Sequence, residues 1–445
     1  MEIQKRQYGL FTSIAMIVGI VIGSGIFFKS DNILVYTQGN VMLGVLLFCI
    51  AAFAIIFGSL SISQLASLTD NPGGFITYAE EFVSPRFGAA FGWFQVFIYY
   101  PSLVVVVSWV IGIYMSQLFG WDLGLNGQVL IGILWFILCF AYNTLSAKIG
   151  GYFQNASTII KLIPLFVIAI SGLLFGDPSN VFTNPSPEAA NATKSLLWMA
   201  GIGPIAYSFD GWIIATAVAH EVKDSKKNMP RALVAAPLFI LGCYLLYFIG
   251  ICSAVGTDQV IALGDGSAIA ACNSLFGENI AKLFMVFVVI SVMGTVNGII
   301  LGYIRIPYSL SLKEALPFPS LKKVNESFNI PIYSSLFCFI ITLIWWAIHY
   351  FTMRYNILAN SDVSEIAIVV SYILYIVLYY QVFRLWKKGQ IQGAIKGIVF
   401  PLLATIGSLF IMIAGLQNPL FLIYVFICFL GLLGGWIFYG KKSFS

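Results

Sequence analysis

Two glycine-rich stretches and one lysine stand out against an apolar background. The first stretch reads Gly19-Ile20-Val21-Ile22-Gly23-Ser24-Gly25-Ile26-Phe27, the second Gly201-Ile202-Gly203-Pro204-Ile205-Ala206-Tyr207-Ser208-Phe209-Asp210-Gly211-Trp212, and the lysine is Lys161. Glycine costs a helix about 1 kcal/mol relative to alanine, so Gly19, Gly23 and Gly25 together invite a break. A close-packing small-xxx-small face would account for Gly19 and Gly23. It leaves Ser24-Gly25 unexplained, because that pair weakens the helix without extending the stripe. In the second stretch an aspartate sits beside a glycine inside a hydrophobic segment, which costs about 2.5 to 3.5 kcal/mol on insertion scales. Some polar function must offset that.

The chemistry of an interrupted helix is specific. Free N–H groups open at the start of its second half and free C=O groups at the end of its first, with partial positive and negative character. The amides of Ser24, Gly25 and Ile26, with the Ser24 hydroxyl, suit a carboxylate. The carbonyls of Val21, Tyr207 and Asp210 suit an ammonium group. An α-amino acid carries both.

Lys161, in Asn155-Ala156-Ser157-Thr158-Ile159-Ile160-Lys161-Leu162-Ile163-Pro164, lies between charge-free stretches. A lysine can snorkel along its stem toward an interface, but the entry of this segment is some eight residues away. The alternative is a fixed cation donating to the carbonyls freed in the first stretch, around Gly19 to Val21, where it would make a sodium ion unnecessary. Asp210 is the other charge at this depth and a candidate partner for it.

Other chemistries fall away. The seven cysteines have no CxxC or CxH spacing, and His220 and His349 are the only histidines, so no metal centre is expected and the cysteines read as packing residues. No phosphate-binding GxxxxGK[ST] loop occurs. His220-Glu221 begins a zinc-protease HExxH pattern, but Asp224 stands where the second histidine belongs. No cofactor is implied, and the absence of paired aspartates or a serine–histidine pair argues against an enzyme. A channel would need a continuous polar lining, whereas the polar groups here cluster in three segments. The Asn191-Ala192-Thr193 sequon would matter only in a eukaryotic secretory pathway.

The elements that must position these residues are membrane spans. Only 9% of the 445 residues are charged, against 60% apolar and 16% aromatic, far from the roughly 25% charged share of a soluble domain. The +5 net charge is dispersed and forms no stripe for nucleic acid. A span needs about 20 apolar residues. The charges then divide the chain into twelve helices near 9–33, 40–67, 87–117, 126–146, 153–175, 195–220, 231–255, 277–306, 331–350, 363–385, 396–415 and 419–440. The last two are cut by Gly415-Leu416-Gln417-Asn418-Pro419. With both termini cytoplasmic, all of the 23 lysines and arginines fall inside except Lys29, Lys194, Lys282, Arg354 and the intramembrane Lys161. No cleavable signal peptide is expected. The two glycine-rich stretches occupy spans one and six, the starts of two halves of a ten-helix core. Interrupted segments at corresponding positions point to a midplane site in an inverted-repeat transporter.

Taken in order, Gly23-Ser24-Gly25-Ile26-Phe27, Pro72-Gly73-Gly74-Phe75-Ile76-Thr77-Tyr78, Lys161-Leu162-Ile163-Pro164 and Tyr207-Ser208-Phe209-Asp210-Gly211-Trp212 resemble the amino acid–polyamine–organocation superfamily. Within it the chain most resembles the L-type amino acid transporter family, in particular bacterial serine/threonine and alanine-serine-cysteine exchangers, over residues 7 to 440. The resemblance implies an all-α polytopic fold with a five-plus-five inverted repeat, broken helices one and six, and two extra C-terminal helices. In these terms the chain is a single transporter domain, with repeat one about 9–175, repeat two about 195–385 and the added helices about 396–440.

The same resemblance implies sodium-independent, obligatory exchange of neutral amino acids across the cytoplasmic membrane. By position it assigns Ser24 and Gly25 to the carboxylate, Val21 and Tyr207 to backbone carbonyl contacts, Tyr207 also to an aromatic lid, and Lys161 to the fifth-helix lysine. Asn297, in Gly294-Thr295-Val296-Asn297-Gly298, matches a side-chain-pocket position. With Ser208 and Phe209 it could frame a compact, partly polar pocket, which favours small substrates. Animal relatives bind a heavy chain through a cysteine between spans three and four. Residues Phe119 to Gly127 here contain none, so a stand-alone bacterial chain is expected. Pro72-Gly73-Gly74 reads as an inner turn. The competing readings are a proton-coupled importer with Asp210 as proton carrier, and a membrane sensor that binds amino acid without transporting it.

Overall fold

The computed structural model of the chain describes residues 8–69, 71, 73–183, 189, 191–194, 197–325, 330–358, 362–416 and 420–442. Among them there is no named strand, only isolated bridges joining Tyr8 to Val222 and Asn325 to Ile330. The apolar blocks become α1 (Leu10–Val21), α2 (Ser24–Tyr36), α3 (Val41–Ala66), α4 (Phe75–Phe82), α5 (Pro85–Phe119), α6 (Gly124–Leu145), α7 (Ala147–Phe175), α8 (Ile202–Phe209), α9 (Ser225–Val255), α10 (Ser267–Phe276), α11 (Glu278–Leu312), α12 (Ile332–Arg354), α13 (Glu365–Lys387), α14 (Phe400–Gly415) and α15 (Phe421–Lys442). A π-helical turn, Ile395–Val399, leads into α14.

Three long helices, α3, α5 and α7, start where the sequence supplies a side-chain cap. Asn40, Ser84 and Ser146 accept from the backbone N–H of Leu43, Phe87 and Ile149 at 3.0, 3.1 and 3.3 Å. Each satisfies an amide that the first helical turn leaves open. Ser84 is followed by Pro85, whose missing N–H is harmless at the first helical position.

Eleven helices among the described residues are long and apolar enough to cross a membrane. The expected sixth span, 195–220, is not one of them. It is divided into the 3₁₀ segment Leu197–Gly201, the eight-residue α8 and the 3₁₀ segment Ile214–Glu221. Eight residues of α-helix cover about 12 Å, well short of a hydrocarbon core of about 30 Å. The seventh span begins at Ser225 instead of the expected 231, so Lys226, Lys227 and Arg231 lie on its first turns. The Gln417-Asn418-Pro419 turn between the last two helices lies outside the described residues.

Several short helices were not anticipated, among them α4, α10 and the segments Pro178–Thr183 and Thr257–Leu263. After the Gly73-Gly74 turn the chain forms α4, whereas Pro72 lies outside the described residues. Gly74 has φ +52° and sits against the Thr216 backbone carbonyl, which leaves no room for a Cβ. This turn is therefore a docking point on the segment that follows α8.

The first stretch lies at the centre. α1 packs against α7, α9 and α11, and α2 packs against α8. From Ala15 to Val21 every residue of α1 is buried. A helix apolar on all sides has no wet face and is enclosed by its neighbours.

Candidate functional site

α1 ends at Val21, and the chain leaves the helix through Ile22, whose ψ of 103° is extended. Gly23 is also non-helical, at φ −157° and ψ −136°, and α2 starts at Ser24. Gly23 faces the Thr295 side chain of α11 with no space for a Cβ. The last carbonyls of α1 therefore have no amide four residues on to accept from.

Lys161 supplies a replacement. Its Nζ donates to Gly19 O and Ile22 O, each at 2.6 Å, and to Thr295 Oγ1 at 3.1 Å. The side chain is fully buried, and an ammonium group has three protons for these three acceptors. Hydrogen bonds to charged groups contribute about 1.5 to 3 kcal/mol each. Three of them offset the about 2.5 to 3.5 kcal/mol that placing a lysine at this depth costs. Of the bonded carbonyls, Gly19 O belongs to the group expected from the sequence and Ile22 O lies one residue beyond it.

Val21 has a different partner. Tyr244 of α9 donates its hydroxyl toward Val21 O at 3.0 Å and Ser208 O at 2.7 Å. One hydroxyl carries one proton, so the two carbonyls share it. Tyr207 O accepts from Asp210 N at 3.1 Å. Two of the three carbonyls assigned to an ammonium group are thus already engaged within the protein, Val21 by a side chain that can rotate.

The second stretch mirrors the first in form. α8 ends at Phe209, Asp210 is extended with ψ 161°, and Gly211 takes φ +92°. Asp210 Oδ2 accepts from the Tyr99 hydroxyl at 2.7 Å, and its Oδ1 has no hydrogen-bond partner among the described residues. No ion pair joins Asp210 to Lys161; the two charges serve separate groups. Gly25 presses on the Ser208 backbone, so the first turn of α2 meets the end of α8.

Val21, Gly25, Tyr207 and Asp210 line one cavity with Ile20, Gly211 and Ile214. α5 contributes Leu103 and Val107 to it, and α11 contributes Thr295 and Ile299. Gly23, at the N-cap position, offers no side chain to the amides at the start of α2, and residues of the α2 amide end and of the α1 and α8 carbonyl ends line this cavity together. The Ser24 side chain lies outside what the structure describes.

Other expected residues lie elsewhere. Ile26 is buried but does not line the cavity. The Phe209 ring turns toward Tyr244 and Phe48, with centroids 4.9 and 6.3 Å away. Gly19 faces Thr158 and Gln154 of α7. Asn297 is also away from the cavity. Its Oδ1 accepts from Tyr142 and Asn143, each at 2.9 Å, and its Nδ2 donates to Gly150 O at 3.0 Å and Gln154 Oε1 at 2.9 Å. All its hydrogen-bonding capacity binds α11 to α6 and α7.

Tyr244, Tyr99, Thr295 and the apolar wall were not anticipated. A buried tyrosine in an apolar span is the one signal for Tyr244, since its hydroxyl needs a partner. Among the described residues no group of histidine, cysteine, aspartate or glutamate could hold a metal ion. None of the seven cysteines is in a disulfide, and all but Cys49 are buried.

The amino acid permease family model matches residues 8–433. The chain belongs to this family. It is 29% identical over 445 residues to the serine/threonine exchanger SteT of Bacillus subtilis (strain 168), covering 99% of this chain and 97% of that protein. It is 24% identical over 455 residues to the b(0,+)-type amino acid transporter 1 of Mus musculus, covering 98% and 87%. It is 25% identical over 438 residues to the large neutral amino acids transporter small subunit 2 of Homo sapiens, covering 93% and 76%. This permease is therefore a multi-pass membrane protein that transports amino acids, and not an enzyme.

Proposed function

We propose that this permease is a sodium-independent exchanger of small neutral L-amino acids, working by alternating access across the cytoplasmic membrane. The observation that carries the reading is the Lys161 ammonium group between Gly19 O, Ile22 O and Thr295 Oγ1. A fixed cation fills the carbonyl-lined break where a transporter of interrupted-helix architecture coordinates a sodium ion. The substrate's own groups follow from the helix ends: its carboxylate meets the α2 amides of Ser24, Gly25 and Ile26, and its ammonium group meets the Val21 and Ser208 carbonyls that share one Tyr244 proton.

Apolar side chains from α5 and α11 limit the space beyond the Cα, which fits a small substrate. The Bacillus relative is named for serine and threonine exchange. The architecture we infer has twelve spans in a five-plus-five inverted repeat plus two further helices, with α1/α2 and the α8 region as the interrupted first and sixth spans and both termini cytoplasmic. The connection between α5 and α6, Gly120 to Leu123, has no cysteine, which supports a chain that works without a disulfide-linked heavy chain.

Counterflow in proteoliposomes tests this. Vesicles loaded with unlabelled serine should accumulate labelled serine equally in sodium and in potassium, and empty vesicles should not. Uptake that requires a sodium gradient would overturn the reading. The unpartnered Oδ1 of Asp210 in the cavity favours a second reading, a proton-coupled importer. That reading requires uptake into empty vesicles when the outside is acidified.

A further inference from the structure

From residue 366 to Ser445 the chain contains no aspartate or glutamate, yet it carries Arg384, Lys387, Lys388, Lys396, Lys441 and Lys442. Arg384, Lys387, Lys388 and Lys396 cluster where α13 ends and the π turn begins. All four are exposed. The Arg384 guanidinium donates to Gln381 Oε1 at 3.1 Å, and none of the four has a carboxylate partner among the described residues.

An apolar groove runs away from this cluster between α13 and α14. Its α13 wall is Ile376, Tyr379, Tyr380 and Phe383, spaced as one helical stripe on which Lys387 is the next position. Leu402 and Thr405 belong to the facing wall, and the Thr405 hydroxyl is used within its own helix, bonding Pro401 O at 2.7 Å. Tyr380 and Leu402 are 58% and 56% exposed, so the groove opens toward the bilayer. At its cationic end Trp386 packs on the backbone of the π turn at Gly397, where any Cβ would collide with the indole. Tryptophan favours the headgroup level of a membrane.

We propose that this groove is a lipid site: one acyl chain of an anionic phospholipid lies along the Ile376–Phe383 stripe, with its phosphate on Arg384 and Lys387. The stripe is about 10 Å long, a large part of the roughly 15 Å of hydrocarbon in one leaflet. Basic pockets at the cytoplasmic ends of spans recognise anionic headgroups in this way. Charge complementarity selects the occupant. A second copy of the chain on this face would bring another set of the same cations to the same loop, whereas a phosphate neutralises them.

The proposal is independent of what is transported. Native mass spectrometry of the full-length protein, offered phosphatidylglycerol or phosphatidylcholine, tests it. One phosphatidylglycerol should stay bound, and phosphatidylcholine should be retained about tenfold less. Replacing both Arg384→Gln and Lys387→Gln should lower phosphatidylglycerol retention about tenfold. Leu402→Trp, which fills the groove and keeps the cations, should lower it similarly. Lys441→Gln with Lys442→Gln should leave it unchanged. Equal retention of the two lipids, or an equal loss in the Lys441/Lys442 variant, would reduce the cluster to a general attraction and overturn the site. So would an efficient cross-link between two copies through Tyr380→Cys in detergent, since that would put protein in the groove.

Discussion

A Cβ placed on Gly25 would stand 2.6 Å from the Cα of Ser208. The amide end of α2 and the carbonyl end of α8 are thus pressed together, so groups of opposite partial charge from two distant segments lie side by side at the cavity.

Gly25→Ala should therefore abolish serine counterflow while the protein still inserts, because its neighbour is backbone and cannot turn aside. Gly242→Ala, with nothing within 4 Å of its Cβ position, is the matched control and should transport normally. Comparable rates for the two variants would show that the close approach is dispensable.

Lys161→Ala leaves Gly19 O without its Nζ donor and Ile22 O with only the Thr295 hydroxyl, at 3.4 Å. Each unsatisfied buried group costs about 1 to 3 kcal/mol, enough to shift a conformational equilibrium of a few kcal/mol. Exchange should fall at least about tenfold, with yield and monodispersity near those of the unmodified protein. Full activity in the alanine variant would remove the fixed-cation role.

Tyr244→Phe keeps the ring against Phe209 and Phe48 and deletes only the hydroxyl. The Michaelis constant for serine should rise about fivefold or more, since Val21 O and Ser208 O lose their preset orientation. Thermal stability should change little. An unaltered constant would mean that substrate binds without these carbonyls.

Tyr207→Ala should slow exchange more than Tyr207→Phe, because the residue lines the cavity and a lid needs its ring more than its hydroxyl. Equal initial rates of the two variants in counterflow would exclude Tyr207 from gating.

Asn297→Leu is expected to act through stability. It removes the donor of Gln154 Oε1 and an acceptor of both Tyr142 and Asn143 in a buried network, which should lower the unfolding temperature by several degrees. The ratio of serine to alanine uptake should stay constant in whatever protein survives. A changed ratio at constant stability would return Asn297 to the substrate pocket.

What the sequence determined was local. Glycines at 19, 23 and 25 and an aspartate beside Gly211 are unfavourable in an apolar helix wherever the rest of the chain lies, so the interruptions were legible from propensity and insertion cost alone. Eleven of the twelve expected spans were legible from the length of their apolar runs, and α4 was not, because eight residues beside a glycine turn carry no membrane-length signal. What satisfies the freed groups was decided by tertiary structure. Lys161 lies 142 residues from Gly19 in sequence and Tyr244 lies 223 from Val21, and no periodicity says which side chains packing will bring across such separations. Asn297 shows the converse. Its motif placed it near the site, but the face it presents was set by how α11 packs against α6 and α7. A helix has neighbours on every side, and a hydrogen-bonding group turns to the side that offers it partners.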